Sequence, residues 1–249
     1  MKKTIIIPAR YNSSRFKGKP LALISGKPMI QVVYEKACSC GLDAVIVATD
    51  DKRIYDTVKA FGGSVYMTSA HHPTGTDRLA EIATKLKFND DDIIINLQGD
   101  EPLVAVDNVH QVVANIEKMG EIAMATLCEP MVDLDEIANP NHVKVVFDEQ
   151  QRALYFSRSP IPCLNTNASK TAAATHYYRH IGLYAYRSFF VKKYPTLSKS
   201  MLEEAEQLEQ LRALCHGYAI HVDVAMSRNG PGVDTPEALA KVIQLMKEY

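Results

Sequence analysis

The run Asp92-Ile93-Ile94-Ile95-Asn96-Leu97 is apolar at nearly every consecutive position and stops abruptly at Gln98-Gly99-Asp100-Glu101-Pro102. A strand with one wet face alternates apolar and polar residues, whereas a strand covered on both faces does not. The run therefore predicts a central strand of a mostly parallel sheet with helices on either side, and a polar loop that opens at the strand's carboxyl end. The first half of the chain agrees. Strand-like segments at Thr4 to Ile7, Ala44 to Thr49 and Ser64 to Met67 alternate with amphipathic stretches that start near Pro28 and Asp51, the rhythm of βαβ units.

The second half changes character. Val143 to Phe147, Ala153 to Phe156 and Gly182 to Tyr186 read as antiparallel or mixed additions, separated by a polar tract from Asn165 to Thr175 that reads as a mobile surface loop. Met201, Leu208, Leu211 and Cys215 recur at helical spacing and predict one helix ending before Gly217; a further strand at Ile220 to Ala225 and a last helix from Pro236 follow. With 249 residues, 47% of them hydrophobic, the chain can bury one substantial core, and neither a repeat nor a linker divides it.

Charge and cysteine usage exclude several function classes. A formal net charge of -1 gives no overall basic field, so nucleic acid is not an expected partner and phosphate binding must come from a local cluster. No apolar stretch approaches the roughly 20 residues of a membrane span, and Met1 to Pro8 is too brief for a signal peptide, so a cytoplasmic location without membrane insertion is expected. Cys38, Cys40, Cys128, Cys163 and Cys215 are odd in number, scattered and without a C-x-x-C pair, which reads as free thiols.

In open α/β sheets ligands sit beyond the carboxyl ends of the strands, where strand order reverses. The loop after the first strand is therefore the place to look for a phosphate site. From Arg10 to Lys19 it carries four cations, Arg10, Arg15, Lys17 and Lys19, and one glycine, a composition suited to a nucleoside triphosphate. It is not a P-loop, because Pro20 follows Gly18-Lys19 and Ser13 stands where the first glycine is required; G-x-G-x-x-G is also absent, which disfavours kinase, GTPase and nicotinamide chemistry.

At the end of the central strand, the acidic pair Asp100-Glu101 can hold a magnesium ion or cap the following helix, Asp100 being the carboxylate nearer the strand end. Magnesium needs only one or two carboxylates when phosphate oxygens and water complete its shell, and Asp234 is the candidate second ligand. The residues alone read Asp234-Thr235-Pro236-Glu237 as an ordinary helix start. Likewise Pro73 to Arg78 reads either as a capped helix start or as backbone amides and an arginine facing a base, ribose or phosphate. His71 and His72 are adjacent and poorly placed to share a metal, and neither H-E-x-x-H nor G-x-S-x-G is present.

Taken in order, Ile6-Ile7-Pro8-Ala9-Arg10-Tyr11, Gly18-Lys19-Pro20-Leu21, Gly26-Lys27-Pro28-Met29-Ile30, Val47-Ala48-Thr49-Asp50, Gly75-Thr76-Asp77-Arg78, Gln98-Gly99-Asp100-Glu101-Pro102, Ala153-Leu154-Tyr155-Phe156-Ser157-Arg158, Arg179-His180-Ile181-Gly182-Leu183-Tyr184, Leu208-Glu209-Gln210-Leu211-Arg212 and Gly232-Val233-Asp234-Thr235-Pro236-Glu237 closely resemble the 3-deoxy-manno-octulosonate (Kdo) cytidylyltransferase family. The opening segment is shared in looser form by many sugar nucleotidyltransferases; the later ones narrow the resemblance to Kdo. Lys17 departs from the proline common before Gly18-Lys19, and residues 165 to 175 match poorly.

The resemblance implies a Rossmann-like nucleotidyltransferase α/β fold in one domain over 1–249, with 1–130 mainly binding nucleotide and 131–225 mainly binding sugar and forming a homodimer. It implies magnesium-dependent transfer of CMP from CTP to Kdo, the activation step for its incorporation into lipopolysaccharide. Pro8, Ala9, Arg10, Arg15 and Lys19, with Thr74, Gly75, Thr76 and Arg78, would bind the nucleotide; Arg10, Arg15 and Lys19 would hold its triphosphate. Asp100 and Asp234 would be the metal ligands, and on this ground Asp234 is expected to be a ligand rather than a cap. Gln98, Arg158, His180, Tyr184, Glu209 and Gln210 would form the sugar-acid pocket, Arg158 meeting the carboxylate. Rival readings are a cytidylyltransferase for a related acid (8-amino-Kdo or sialate) and a non-catalytic nucleotide-sugar sensor.

Overall fold

The computed structural model describes residues 1–13, 15–120, 122–164 and 176–247. The expected polar loop at Asn165 to Thr175 lies outside them. Nine strands form one sheet: β1 (Lys3–Ala9), β2 (Ala44–Thr49), β3 (Val65–Met67), β4 (Ile93–Asn96), β5 (Met124–Met131), β6 (Lys144–Phe147), β7 (Ala153–Ser157), β8 (Tyr177–Arg187) and β9 (Ile220–Val224). The main path runs β9-β5-β8-β4-β1-β2-β3, with β6 pairing β8 and β7 pairing β6.

Strands β3, β2, β1 and β4 are parallel neighbours, joined by α1 (Met29–Cys38), α2 (Lys52–Ala60) and α3 (Gly75–Lys85). Chain order reverses between β1 and β4, which leaves a crevice beyond their carboxyl ends. As the apolar run requires, β4 is buried throughout: Ile93 and Ile95 pack into the core on one face of the sheet and Ile94 into the core on the other. Beyond β4 the sheet becomes mixed, because β8 runs antiparallel to both β4 and β5, while β9 is parallel to β5. Helix α4 (Val106–Lys118) follows the acidic loop and packs its buried face, including Val109, Val112 and Ile116, against the core.

The expected single helix from Met201 to Cys215 is two: α7 (Met201–Glu206) and α8 (Gln210–Cys215), which follow α5 (Leu134–Ala138) and α6 (Ser188–Lys193). Gln207 takes a left-handed conformation, φ 53°, and ends α7. The break is braced by side chains that spacing does not reveal. Arg212 grips Glu203 through Nε at 2.8 Å and Nη2 at 2.5 Å, and Arg158 Nε donates to the Glu206 carbonyl at 2.7 Å. Met201, part of the expected apolar stripe, is 80% exposed. The last helix, α9 (Pro236–Leu245), starts as expected, but its cap is Thr235, whose hydroxyl accepts from the Ala238 amide at 3.2 Å.

Candidate active site

The crevice at the strand-order reversal holds a cavity of about 740 Å³. Three segments meet at its rim. The first is the cationic loop after β1, closed by Gly18 N donating to Tyr11 O at 2.8 Å. Gly18 has φ +74°, and a β-carbon there would come within 3.0 Å of the Tyr11 ring, so glycine is required on both grounds. The second is the loop after β4. Gly99 lies against β1 so closely that a β-carbon would stand 3.0 Å from the Pro8 carbonyl oxygen. The third is the segment before α9, tied to the second by Gly230 N to Leu103 O at 3.1 Å and Val233 N to Asp100 O at 2.8 Å.

These backbone ties bring Asp234 beside Asp100. Lys19 Nζ bridges the two, paired with Asp100 Oδ2 and donating to Asp234 Oδ1 at 2.8 Å, while Arg15 Nη2 is 2.9 Å from Asp234 Oδ2. Burial alone would lower the Lys19 pKa, but the charge and hydrogen bond of Asp100, then those of Asp234, outweigh it and raise the pKa above its ordinary value. Burial opposes ionisation of Asp234 as well, yet Lys19 and Arg15 hold its carboxyl below the usual range. Glu101 goes the other way: burial, then the charge of Asp100, push it up to about 7 although Arg179 opposes them.

The far wall comes from the second half of the chain. His180, Tyr184 and Tyr186 of β8 line the cavity with Glu209 and Gln210 from the α7–α8 turn. His180 sits 5.2 Å from the Tyr184 ring and 5.1 Å from Phe156, with Nε2 3.1 Å from the Thr126 hydroxyl. Burial pushes it down to about 3, so it is a neutral imidazole at working pH. The Glu209 carboxylate lies at the amino end of α3, accepting from the Thr76 hydroxyl at 2.7 Å and from the Gly75 and Thr76 amides at 3.4 Å each. That is where helix geometry favours an anion.

Of the residues singled out from the sequence, the cavity brings together Pro8, Ala9, Arg10, Arg15, Lys19, Gly75, Thr76, Arg78, Gln98, Asp100, His180, Tyr184, Glu209, Gln210 and Asp234. Arg78 is 1% exposed and anchored by Asp50 at 2.9 Å and by the Thr68 hydroxyl. Thr74 and Arg158 are not in the lining. Thr74 caps α3, accepting from the Asp77 amide at 3.1 Å and donating to Asp77 Oδ2 at 2.6 Å. The Arg158 guanidinium donates to the carbonyls of Glu206, Pro140 and Gln207, so in this conformation it braces the turn that carries Glu209 and does not face the cavity. His72 pairs with Glu81 at 2.5 Å, away from the cavity lining.

Sequence reasoning missed Asn96 and Tyr186 in the lining, and Arg53, whose guanidinium lies 3.3 Å over the Tyr11 ring that shapes the cationic loop. Asn96 was detectable as the one polar residue inside the buried run. Arg53 carried no signal.

Comparison with known proteins agrees with this geometry. The cytidylyltransferase family model matches residues 4–221. A 3-deoxy-manno-octulosonate cytidylyltransferase from Photobacterium profundum is 50% identical, over 99% of this chain and 100% of its own. The solved structure of a CMP:2-keto-3-deoxy-manno-octonic acid synthetase complexed with CTP superposes with a TM-score of 0.91 at 46% identity, covering 100% of this chain and 99% of that one. A cytidylyltransferase from Leptospira borgpetersenii, 17% identical with a TM-score of 0.66 over 100% of this chain and 88% of that one, shares the fold. With the fold, the crevice and the full-length identity in agreement, the chain belongs to the 3-deoxy-manno-octulosonate cytidylyltransferase family.

Proposed function

We infer that this chain is an enzyme that transfers CMP from CTP to the anomeric hydroxyl of Kdo, releasing pyrophosphate. The observation that carries the reading is the convergence of Asp100 and Asp234 on one cation, beside Arg15, at the mouth of a cavity large enough for a nucleotide and a sugar acid. A sensor has no use for such a pair, and the full-length relatives carry the Kdo name rather than that of another sugar acid.

The two carboxylates also fit magnesium. They supply hard oxygen donors already close enough to share the Lys19 ammonium, and phosphate oxygens and water would complete the shell. Magnesium bound by Asp100 and Asp234 would neutralise phosphate charge and make the α-phosphorus easier to attack. The chain's own residues do the remaining work. Arg15 and Lys19 meet the charge that grows on the leaving pyrophosphate, and Arg10 extends the cationic wall. His180, Glu209 and Gln210 orient the sugar acid opposite, so that its hydroxyl rather than water is held in line with the α-phosphorus. The reaction needs no covalent intermediate on the protein.

The same proposal makes the chain a cytoplasmic homodimer that activates Kdo for lipopolysaccharide. The second-half elements expose Val132, Leu134 and Leu154 at 75%, 47% and 62%, apolar surface that a second copy would cover. Among the described residues, no helix is long and apolar enough to cross a membrane.

The test is pyrophosphate release with each of the four nucleoside triphosphates, with and without Kdo and magnesium. Release is expected with CTP, Kdo and magnesium together. Equal release with UTP or ATP, or none with Kdo, contradicts the reading.

A further inference from the structure

The turn that carries Glu209 and Gln210 has little of its own to hold it. It joins two helices of six residues each, α7 and α8, across the left-handed Gln207, and isolated helices of that length do not persist in water. Its geometry must come from outside the turn. Arg212 and Glu203, 3% and 6% exposed, clamp α8 to α7 as a buried ion pair, and the Arg212 guanidinium lies 4.3 Å over the Tyr194 ring, itself 2% exposed. Tyr194 opens the short turn after α6, Tyr194–Thr196, and its hydroxyl donates to the Glu209 carbonyl at 3.1 Å.

Glu209 is thereby held at both ends by hydroxyls from two other elements. Tyr194 fixes its main chain, and Thr76 of α3 donates to its carboxylate at Oε2. Oε1 has only the 3.4 Å contact with the Gly75 amide, and a carboxylate oxygen has two lone pairs, so it keeps room to accept from a donor in the cavity. Glu209 is partly exposed and lines the cavity, so such a donor can reach it. A carboxylate repels phosphate, which leaves a hydroxyl as the partner that fits. The Tyr194 hydroxyl stays protonated at working pH, because burial, then the charge of Glu209, push its pKa above the ordinary value.

We propose that Tyr194 is a positioning residue for the sugar acid: its hydroxyl fixes the Glu209 main chain and so aims the Glu209 carboxylate at one hydroxyl of the bound sugar. This rests on the Kdo reading above. Tyr194 acts through Glu209 rather than by touching the sugar, since its one polar side-chain atom is engaged by the Glu209 carbonyl and its ring is covered by Arg212.

The test is a double-mutant cycle. Wild type, Tyr194→Phe, Glu209→Ala and the two substitutions together are assayed with Kdo and CTP varied in turn, and the Tm of each is measured. Phe keeps the ring on which Arg212 packs, and the Glu209 carbonyl keeps a second donor, the Arg212 amide at 3.1 Å. Tyr194→Phe therefore strands no acceptor, and its Tm should stay near that of wild type. Its kcat/KM for Kdo should fall about 3- to 10-fold, the effect of one neutral hydrogen bond, with the KM for CTP unchanged. Glu209→Ala should lose more, and in that background, where no carboxylate remains to be aimed, Tyr194→Phe should add nothing. Where Glu209→Ala is too slow to measure, Glu209→Gln takes its place, and the loss caused by Tyr194→Phe should shrink.

Failure of wild type to use Kdo overturns the functional reading and this inference with it. If wild type turns over Kdo, equal kcat/KM in wild type and Tyr194→Phe overturns the inference alone. So does an undiminished loss in the Glu209 background, which would mean that Tyr194 touches the sugar or only packs, and so does a rise in the KM for CTP as large as that for Kdo.

Discussion

Lys19 Nζ donates to Asp234 Oδ1 at 2.8 Å while also pairing with Asp100, and the cap of the helix that follows Asp234 is the neighbouring Thr235. The two readings of the Asp-Thr-Pro-Glu segment are therefore carried by different residues and can be separated by substitution.

Asp234→Asn keeps an oxygen at the position and leaves the Thr235 cap untouched, so Tm should shift little. Its amide carries no net charge and is a poorer magnesium ligand, so kcat should fall on the order of 10²-fold or more. Thr235→Ala should do the reverse, lowering stability by about 0.5–2 kcal/mol while leaving kcat within a few-fold. Thermal melts and kinetics on both variants check this; near-normal turnover by Asp234→Asn at saturating magnesium would remove Asp234 from the chemistry.

Arg15 reaches Asp234 from the cationic loop and is half exposed, so it adds little to stability and is free to meet phosphate. Arg15→Ala should weaken CTP use by about 1.5–3 kcal/mol in kcat/KM, the range for hydrogen bonds to charged groups. Unchanged KM and kcat for CTP would make the loop plain surface.

Arg53 lies over Tyr11, held there by Asp51 through Nε at 2.9 Å and Nη2 at 2.6 Å, and Tyr11 in turn fills the space above Gly18. Gly18→Ala should disturb the loop through both its positive φ and the 3.0 Å contact, raising the KM for CTP more than that for Kdo. Arg53→Ala should produce a weaker version of the same pattern, since an exposed cation–π contact contributes about 0.5–1 kcal/mol. Steady-state kinetics with each substrate varied in turn gives the answer; equal effects on both substrates would refute a local role.

Burial against Phe156 and Tyr184 pushes His180 down to about 3, against about 6.5 in an unfolded chain. Between those values the unfolded state binds a proton that the folded state does not. The contribution to stability is thus full above about pH 6.5 and is lost as pH falls toward 3. His180→Phe abolishes that loss. Urea unfolding at pH 7 and pH 5 should show the variant losing less stability than wild type, above the range in which Glu81, held down to about 2 by Lys85, the Ser69 amide and His72 against its burial, begins to titrate. His221, also pushed down by burial, titrates in both proteins and cancels from the difference. Parallel losses would show that His180 does not titrate on unfolding.

Much of the fold was legible because its signals are local. The unbroken apolar run announced β4, and the segment from Ala44 to Thr49 marks β2 residue for residue. The cationic loop and the acidic loop were legible for the same reason: each follows a strand. What escaped depends on distant partners. The break between α7 and α8 rests on a left-handed glutamine, a residue type with no preference for that conformation, and on grips from Arg158 and Arg212. Arg158 itself, expected to face the sugar carboxylate, is held by carbonyls from two separate segments, which no motif encodes. Asn96 stood out as the polar residue inside the buried run, but its place in the cavity lining depends on the pairing of β4 with β8, which the run does not reveal.

The central claim is transfer of the α-phosphoryl of CTP to the sugar acid, and isotope partition measures it directly. With CTP labelled at the α-phosphorus, all label should move to a product that also contains Kdo, with none in pyrophosphate; with CTP labelled at the γ-phosphorus, all label should appear in pyrophosphate. Label from the γ-phosphorus on the sugar, or α-label released as free CMP at the same rate with and without Kdo, would contradict the account.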